Sequence, residues 1–142
     1  MIAVVNVGGS PLASLADVAI EVEVGPEVLR GSTRLTAGTA QKVSLNALTT
    51  AAMVRLGRVH GDLMIDVEPA NAKLQTRAAG IVADIAGCDQ NTATAALSAC
   101  AGSARAAVLH LVLGLAPSVA LERAGRFASL RDALAAEPVS EG

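Results

Sequence analysis

Gly-Pro-Glu-Val-Leu-Arg-Gly-Ser-Thr-Arg-Leu-Thr-Ala-Gly-Thr-Ala-Gln-Lys, residues 25–42, joins an alternating apolar stretch to a long helical pattern. It concentrates glycine, hydroxyls and cations where a helix begins. A helix start presents unpaired backbone N–H groups and a partial positive charge, so an anion is the ligand this stretch first suggests.

Upstream, Ile2 to Asn6 is a short β-branched run stopped by Gly8-Gly9-Ser10-Pro11, the pattern of a fully buried strand. Val18 to Val24 alternates apolar residues with Glu21 and Glu23, as an edge strand with one wet face would. Two strands make no stable sheet on their own, and a buried first strand wants neighbours on both sides. The chain is therefore expected to start in the middle of a fold.

Downstream, Thr33 to Leu56 reads as a helix, with Leu45, Leu48, Ala52 and Leu56 on one face and Gly57 as its stop. A second stripe, Thr39, Lys42, Asn46 and Thr49, carries hydroxyls, an amide and one lysine, which suits a subunit contact or cavity wall better than bulk water. Gly61 to Val67 reads as a connector. Pro69 suits the start of a helix that runs to Ala86 and stops at Gly87. Short helices follow, introduced by Asp89, Gly102-Ser103, Pro117-Ser118 and the pair Ser129/Asp132. Residues 88–136 are expected to form a small helical module with its own core, and 137–142 a flexible tail.

Bulk properties exclude several classes. The 142 residues are 52% hydrophobic with a formal net charge of −2 and no basic cluster, which argues against nucleic acid. Ala106 to Leu121 is interrupted by His110, Gly114 and Pro117 and falls short of the roughly 20 apolar residues of a membrane span. The N-terminus has no basic n-region, so the cytoplasm is the expected compartment. Cys88 and Cys100 lack metal-ligand spacing and read as reduced, buried thiols. Phe127 is the only aromatic residue, so a bound sugar would be held by hydrogen bonds.

Several segments together carry a family resemblance. They are Gly25-Pro-Glu-Val-Leu, Gly31-Ser-Thr-Arg-Leu, Ala37-Gly-Thr-Ala-Gln-Lys, Leu45-Asn46, Thr50 to Gly57, Asp62-Leu-Met-Ile-Asp66-Val and Asn71-Ala-Lys-Leu74. In order and spacing they resemble the C-terminal half of the N-acetylmuramic acid 6-phosphate etherases, sugar isomerase (SIS) fold enzymes related to the glucokinase regulatory protein. The resemblance implies an α/β fold: the last two strands and a long helix of a doubly wound parallel sheet in residues 1–87. A module similar to a ubiquitin-associated three-helix fold follows in 88–136.

The implied reaction cleaves the D-lactyl ether to N-acetylglucosamine 6-phosphate and D-lactate in cell-wall sugar recycling. Lactate is eliminated and water added, with glutamates as acid and base and no metal or redox cofactor. In the family the catalytic glutamates and phosphate loops precede the position of Met1. This chain is thus expected to be inactive alone, as a truncated reading frame or excised fragment would be, with no catalytic residue of its own. Its expected partners are a sugar phosphate and either a second copy, as a homodimer, or a missing N-terminal half.

The substrate-binding candidates are Ser32, Thr33, Arg34, Lys42, Asn71 and Lys73. Ser32 and Thr33 would either offer hydroxyls to the sugar or cap the helix. Arg34 would pair with an anion or brace the loop. Lys42 aligns with a lysine that reaches the sugar phosphate in the regulatory-protein relative, the alternative being a buried ion pair. Asn71 and Lys73 would reach ligand or partner, with helix capping the plainer role for Asn71. Glu27 stands nearest the implied site, in a supporting role rather than as acid or base. Thr36 departs from the family's lysine and removes one cation. His60 and His110 have no acid–nucleophile neighbours, and His110 reads as a satisfied core or interface residue. A non-catalytic sugar-phosphate-binding or regulatory remnant is the alternative function.

Overall fold

The computed structural model describes residues 1–67 and 71–137, a mixed α/β chain. Its elements run β1 (Ile2–Val5), α1 (Pro11–Leu15), β2 (Val18–Glu21), α2 (Thr36–Arg55), β3 (Val59–His60), β4 (Leu63–Met64), α3 (Ala72–Ala86), α4 (Gln90–Ala99), α5 (Ala104–Leu113), α6 (Pro117–Arg126) and α7 (Leu130–Ala135). The chain forms two compact units, residues 1–52 and 53–142.

In the first unit β1 and β2 pair in parallel, from Ile2 opposite Val18 to Val5 opposite Glu21. The crossover between them is α1, which the sequence reading missed by treating Gly8 to Pro11 as a stop only. Ser10 caps α1 by accepting the Ala13 N–H, and Pro11 occupies the first turn, where its missing N–H costs nothing. The strands are shorter than expected. Beyond Glu21 the side-chain amide of Asn6 donates to the Val22 carbonyl at 3.0 Å. The expected complete burial of β1 also needs correcting: Ala3 and Val5 are buried, Val4 is half-buried and Ile2 is exposed.

The long helix α2 begins at Thr36 rather than Thr33, because residues 33–35 form a turn. Its expected core face is not buried: Leu45 and Leu56 are exposed, and Ala37 is the only buried residue of the helix.

The second unit has a continuous core. Ile65, then Ala78, Ala79, Ile81 and Val82 of α3, pack with residues of α4 to α7, and α5 contributes Ala104, Ala106, Ala107, Val108 and Leu109. Alanine at the contact positions lets the helices approach closely around α5. The helices from residue 88 onward thus share their core with α3 and Ile65 rather than enclosing one of their own. The expected connector at Gly61 to Val67 begins instead as the second half of a hairpin, β3–β4. His60 is opposite Leu63, and Gly61 takes φ +61° at the first position of a two-residue turn. α3 starts with Asn71, whose side chain accepts the Leu74 N–H, and ends at Gly87 in the left-handed region, φ +66°. Pro69 and residues 138–142 lie outside the described residues. Asp89, Ser103 and Ser129 cap α4, α5 and α7 from their side chains. No single helix among the described residues is long and apolar enough to cross a membrane.

Candidate functional site

The loop that leads into α2 is built by two left-handed glycines, Gly25 at φ +70° and Gly31 at φ +80°. Between them Glu27 turns its carboxylate onto the helix start. Its Oε2 accepts the Thr36 N–H and its Oε1 the Ala37 N–H, both at 2.9 Å. The next two donors are satisfied as well: the Gly38 N–H reaches the Thr33 carbonyl at 2.8 Å and the Thr39 N–H the Leu35 carbonyl at 3.0 Å. All four orphan N–H groups of the helix therefore have partners. This corrects the first expectation from residues 25–42, because an anion cannot take donors that a carboxylate and two carbonyls already hold.

The two bonds, first from Ala37 and then from Thr36, hold the Glu27 carboxyl below its ordinary value. A carboxylate so engaged is poorly suited to deliver or collect a proton. Glu27 is a positioning group for the loop, and capping falls to it rather than to Ser32 or Thr33.

The side chains of Ser32, Thr33, Arg34 and Lys42 are left with no intramolecular hydrogen bond among the described residues. Ser32 is half-buried, while Thr33, Arg34 and Lys42 are exposed. Arg34, Leu35, Thr36, Thr39 and Ala40 border an open depression of about 570 Å³. Its polar groups are hydroxyls and a guanidinium, suited to hydrogen-bonding a sugar and pairing with an anion. Thr36 lines this depression where the family resemblance leads one to expect lysine, so Arg34 is its one bordering cation.

Asn71 and Lys73 belong to the second unit. The Asn71 side chain is committed to the α3 cap, whereas Lys73 is exposed in the first turn. Glu21 and Glu23, read as a solvated face, also have local roles. Glu21 accepts the Gly9 N–H at 3.0 Å, and Glu23 lies against Gly8 where a Cβ would collide with its carboxylate. The His110 ring meets the Leu115 carbonyl at 2.6 Å, so its Nδ1–H is the donor and the histidine fastens the end of α5.

Sequence reasoning missed one polar centre altogether. Arg105, on α5, pairs with Asp66 and also donates to the carbonyls of Gly57, Phe127 and Ala128. The available signal was Asp66 inside a quoted motif. Asp66 also pairs with Arg58, eight residues away, at 3.1 Å, but Arg105 lies 39 residues away, beyond the reach of spacing arguments.

No protein-family model matches the chain. Curated relatives do, all three of the following named N-acetylmuramic acid 6-phosphate etherase. The Deinococcus radiodurans protein is 48% identical over 118 residues, covering 83% of this chain and 39% of the relative. That of Rubrobacter xylanophilus is 50% identical over 115 residues, 81% of this chain and 38% of the relative. That of Mycolicibacterium smegmatis is 52% identical over 113 residues, 78% of this chain and 38% of the relative. The chain spans about two-fifths of the length of the curated relatives it matches. Identity at this level over four-fifths of the chain places it, as a partial-length relative, in the N-acetylmuramic acid 6-phosphate etherase family.

Proposed function

We propose that this chain supplies one wall of the sugar-phosphate site of an N-acetylmuramic acid 6-phosphate etherase, and that turnover needs residues it does not contain. Residues 1–87 would form the final portion of a SIS-type parallel sheet with its last helices, and the helices of 88–136, which share their core with α3, would resemble a ubiquitin-associated fold. The observation that carries the reading is the loop at residues 31–35 and the first turns of α2 to Lys42, with the helix start capped by Glu27. Thr33, Arg34 and Lys42 are exposed there, and their side chains and that of half-buried Ser32 make no hydrogen bond among the described residues.

Cleavage of the lactyl ether by elimination needs a base for the C2 proton and an acid for the departing oxygen, with pKa values held apart. Glu27 fits neither role, since both of its oxygens accept backbone N–H groups. Ser32 and Thr33 would hydrogen-bond sugar hydroxyls, Arg34 and Lys42 would neutralise the phosphate, and Lys73 would reach a partner subunit. The working assembly would be a homodimer or a complex with the remaining part of the fold.

The test is D-lactate release from N-acetylmuramic acid 6-phosphate, by the chain alone and with the rest of the fold supplied. Release only in the combination supports the proposal, and release by the chain alone overturns it. Lys42→Ala should weaken N-acetylglucosamine 6-phosphate binding by roughly tenfold, the scale of one charge-assisted hydrogen bond. Binding without release in the combination would favour the second reading, a non-catalytic sugar-phosphate-binding or regulatory protein. The engagement of both Glu27 oxygens is the observation on its side.

A further inference from the structure

We propose that the cleft between the β3–β4 hairpin and α7 binds a small phosphate monoester, held by Arg55, His60 and Arg131. The cleft belongs wholly to the second unit and shares no residue with the depression beside Arg34, which belongs to the first. The proposal does not depend on the etherase reading.

The cleft has a built frame. It measures about 370 Å³, within the roughly 300–1,000 Å³ of small-molecule sites. Gly57 and Ala128 border it, packed so closely that a Cβ on Gly57 would overlap the Ala128 peptide. Arg105 fastens both: its Nη2 donates to the Gly57 carbonyl at 2.8 Å and its Nη1 to the Ala128 carbonyl at 2.9 Å. Around this clamped backbone, Arg55 comes from the end of α2, His60 from β3 and Arg131 from α7. A site with such support is in place before its ligand arrives.

The cations of the cleft are also uncommitted. Arg58 and Arg105 are tied to Asp66, and Arg123 to the carbonyls of Ala133 and Ala136. Arg55 and Arg131 make no ion pair and no side-chain hydrogen bond among the described residues. The half-buried His60 ring is likewise unpartnered among them, and either tautomer leaves it an N–H to donate. A carboxylate is planar and is satisfied by one bidentate arginine. Donors converging from three elements suit instead a tetrahedral group with three terminal oxygens. Val54 and Val59 border the same cleft and offer apolar surface to the ester carbons.

Two features would oppose an anion, and both are already engaged. The Val54 carbonyl at the end of α2 accepts the Gly57 N–H at 3.0 Å, and the Met53 carbonyl accepts the Arg58 N–H at 2.9 Å. Asp132 is the one carboxylate bordering the cleft among the described residues, and its Oδ2 accepts the Ser129 hydroxyl at 2.7 Å. Against two arginines it leaves the cleft positive. The start of α7 contributes nothing, because Ser129 caps it.

The experiment is a titration of the full chain with butyl phosphate, inorganic phosphate and butyrate at fixed ionic strength, read from assigned amide resonances. Saturable shifts are expected at Gly57, Gly61 and Ser129. Butyl phosphate should bind about fivefold more tightly than inorganic phosphate, through its buried carbons, and about tenfold more tightly than butyrate. Arg55→Gln and Arg131→Gln should each weaken butyl phosphate by roughly tenfold, the scale of one charge-assisted hydrogen bond. Arg77→Gln and Arg126→Gln remove the same charge from exposed arginines that do not border the cleft, and should change binding by less than about twofold. All four positions are exposed, and the same spectra report whether each variant is folded.

Shifts confined to residues 34–40 would move phosphate binding to the other depression and overturn this site. Equal losses in all four variants would reduce the effect to net charge and overturn it as well. Butyrate binding as tightly as butyl phosphate would remove the phosphate assignment.

Discussion

Arg105 and Asp66 meet at two points, Nε to Oδ1 at 2.7 Å and Nη2 to Oδ2 at 2.8 Å, and the same guanidinium holds three backbone carbonyls. Two of those carbonyls, Phe127 and Ala128, lie in the α6–α7 loop, and the third, Gly57, precedes β3. One side chain on α5 therefore ties the hairpin and the loop to the helical core. The Arg105 and Asp66 side chains are only 12% and 20% exposed, so water replaces little of what is lost if one is removed.

Arg105→Ala should cost about 3 kcal/mol, since it leaves three backbone carbonyls without a donor and leaves Asp66 with Arg58 alone, at 3.1 Å. Arg105→Lys keeps the charge but offers no planar fork, and should recover less than half of that loss. Urea unfolding followed by the helical signal measures both. A lysine variant as stable as the original would show that charge alone, not the five-donor geometry, is what matters.

Gly57 and Gly87 provide a matched comparison. Both are left-handed, at φ +72° and φ +66°. A Cβ on Gly87 meets nothing within 4 Å, whereas one on Gly57 would overlap the Ala128 peptide, with Ser129 Cα at 2.9 Å. Gly87→Ala should cost about 1 kcal/mol from backbone conformation alone. Gly57→Ala adds the overlap and should cost about 3 kcal/mol. Equal losses would show that the α6–α7 loop gives way without penalty.

The Glu27 cap predicts a pH dependence with a definite sign. Its carboxyl is held below the ordinary 4.5 by the Ala37 and Thr36 N–H groups. The stabilisation of the α2 start is thus present above the unfolded value and is lost as the pH falls through the lower folded value. Glu27→Ala should speed amide exchange at Thr36 and Ala37 at least tenfold at neutral pH, with Glu27→Gln between the two. Unchanged exchange in the alanine variant would remove Glu27 from the cap.

The two thiols should differ in reactivity. Cys100 is fully buried and its burial raises the thiol pKa, while Cys88 is half-buried. A disulfide reagent at pH 8 should titrate one thiol in the native chain and the second only in denaturant, because the thiolate is the reacting form. Cys88→Ser should abolish the early reaction. Rapid labelling of Cys100 would mean that the α4–α5 core opens readily.

Local order was largely legible in the residues. Asp89, Ser103 and Ser129 announced their helices because a cap is a contact within three residues of its own chain. Gly57 and Gly87 announced stops for the same local reason. The short helix at Pro11 and the hairpin at Gly61 were missed because each has too few residues to show a period.

The sequence by itself determined the family, the helix ends and the identity of the polar groups in residues 31–42, all properties carried by neighbouring positions. Tertiary structure alone decided which of these groups remain available. Glu27 reaches nine and ten residues along the chain to occupy donors that an anion would have used, and Arg105 finds Asp66 across 39. Tertiary structure also decided that Leu45 and Leu56, read as part of one buried face, stand exposed. Burial and hydrogen-bond pairing depend on what else comes near in space, and residue spacing records only what comes near along the chain.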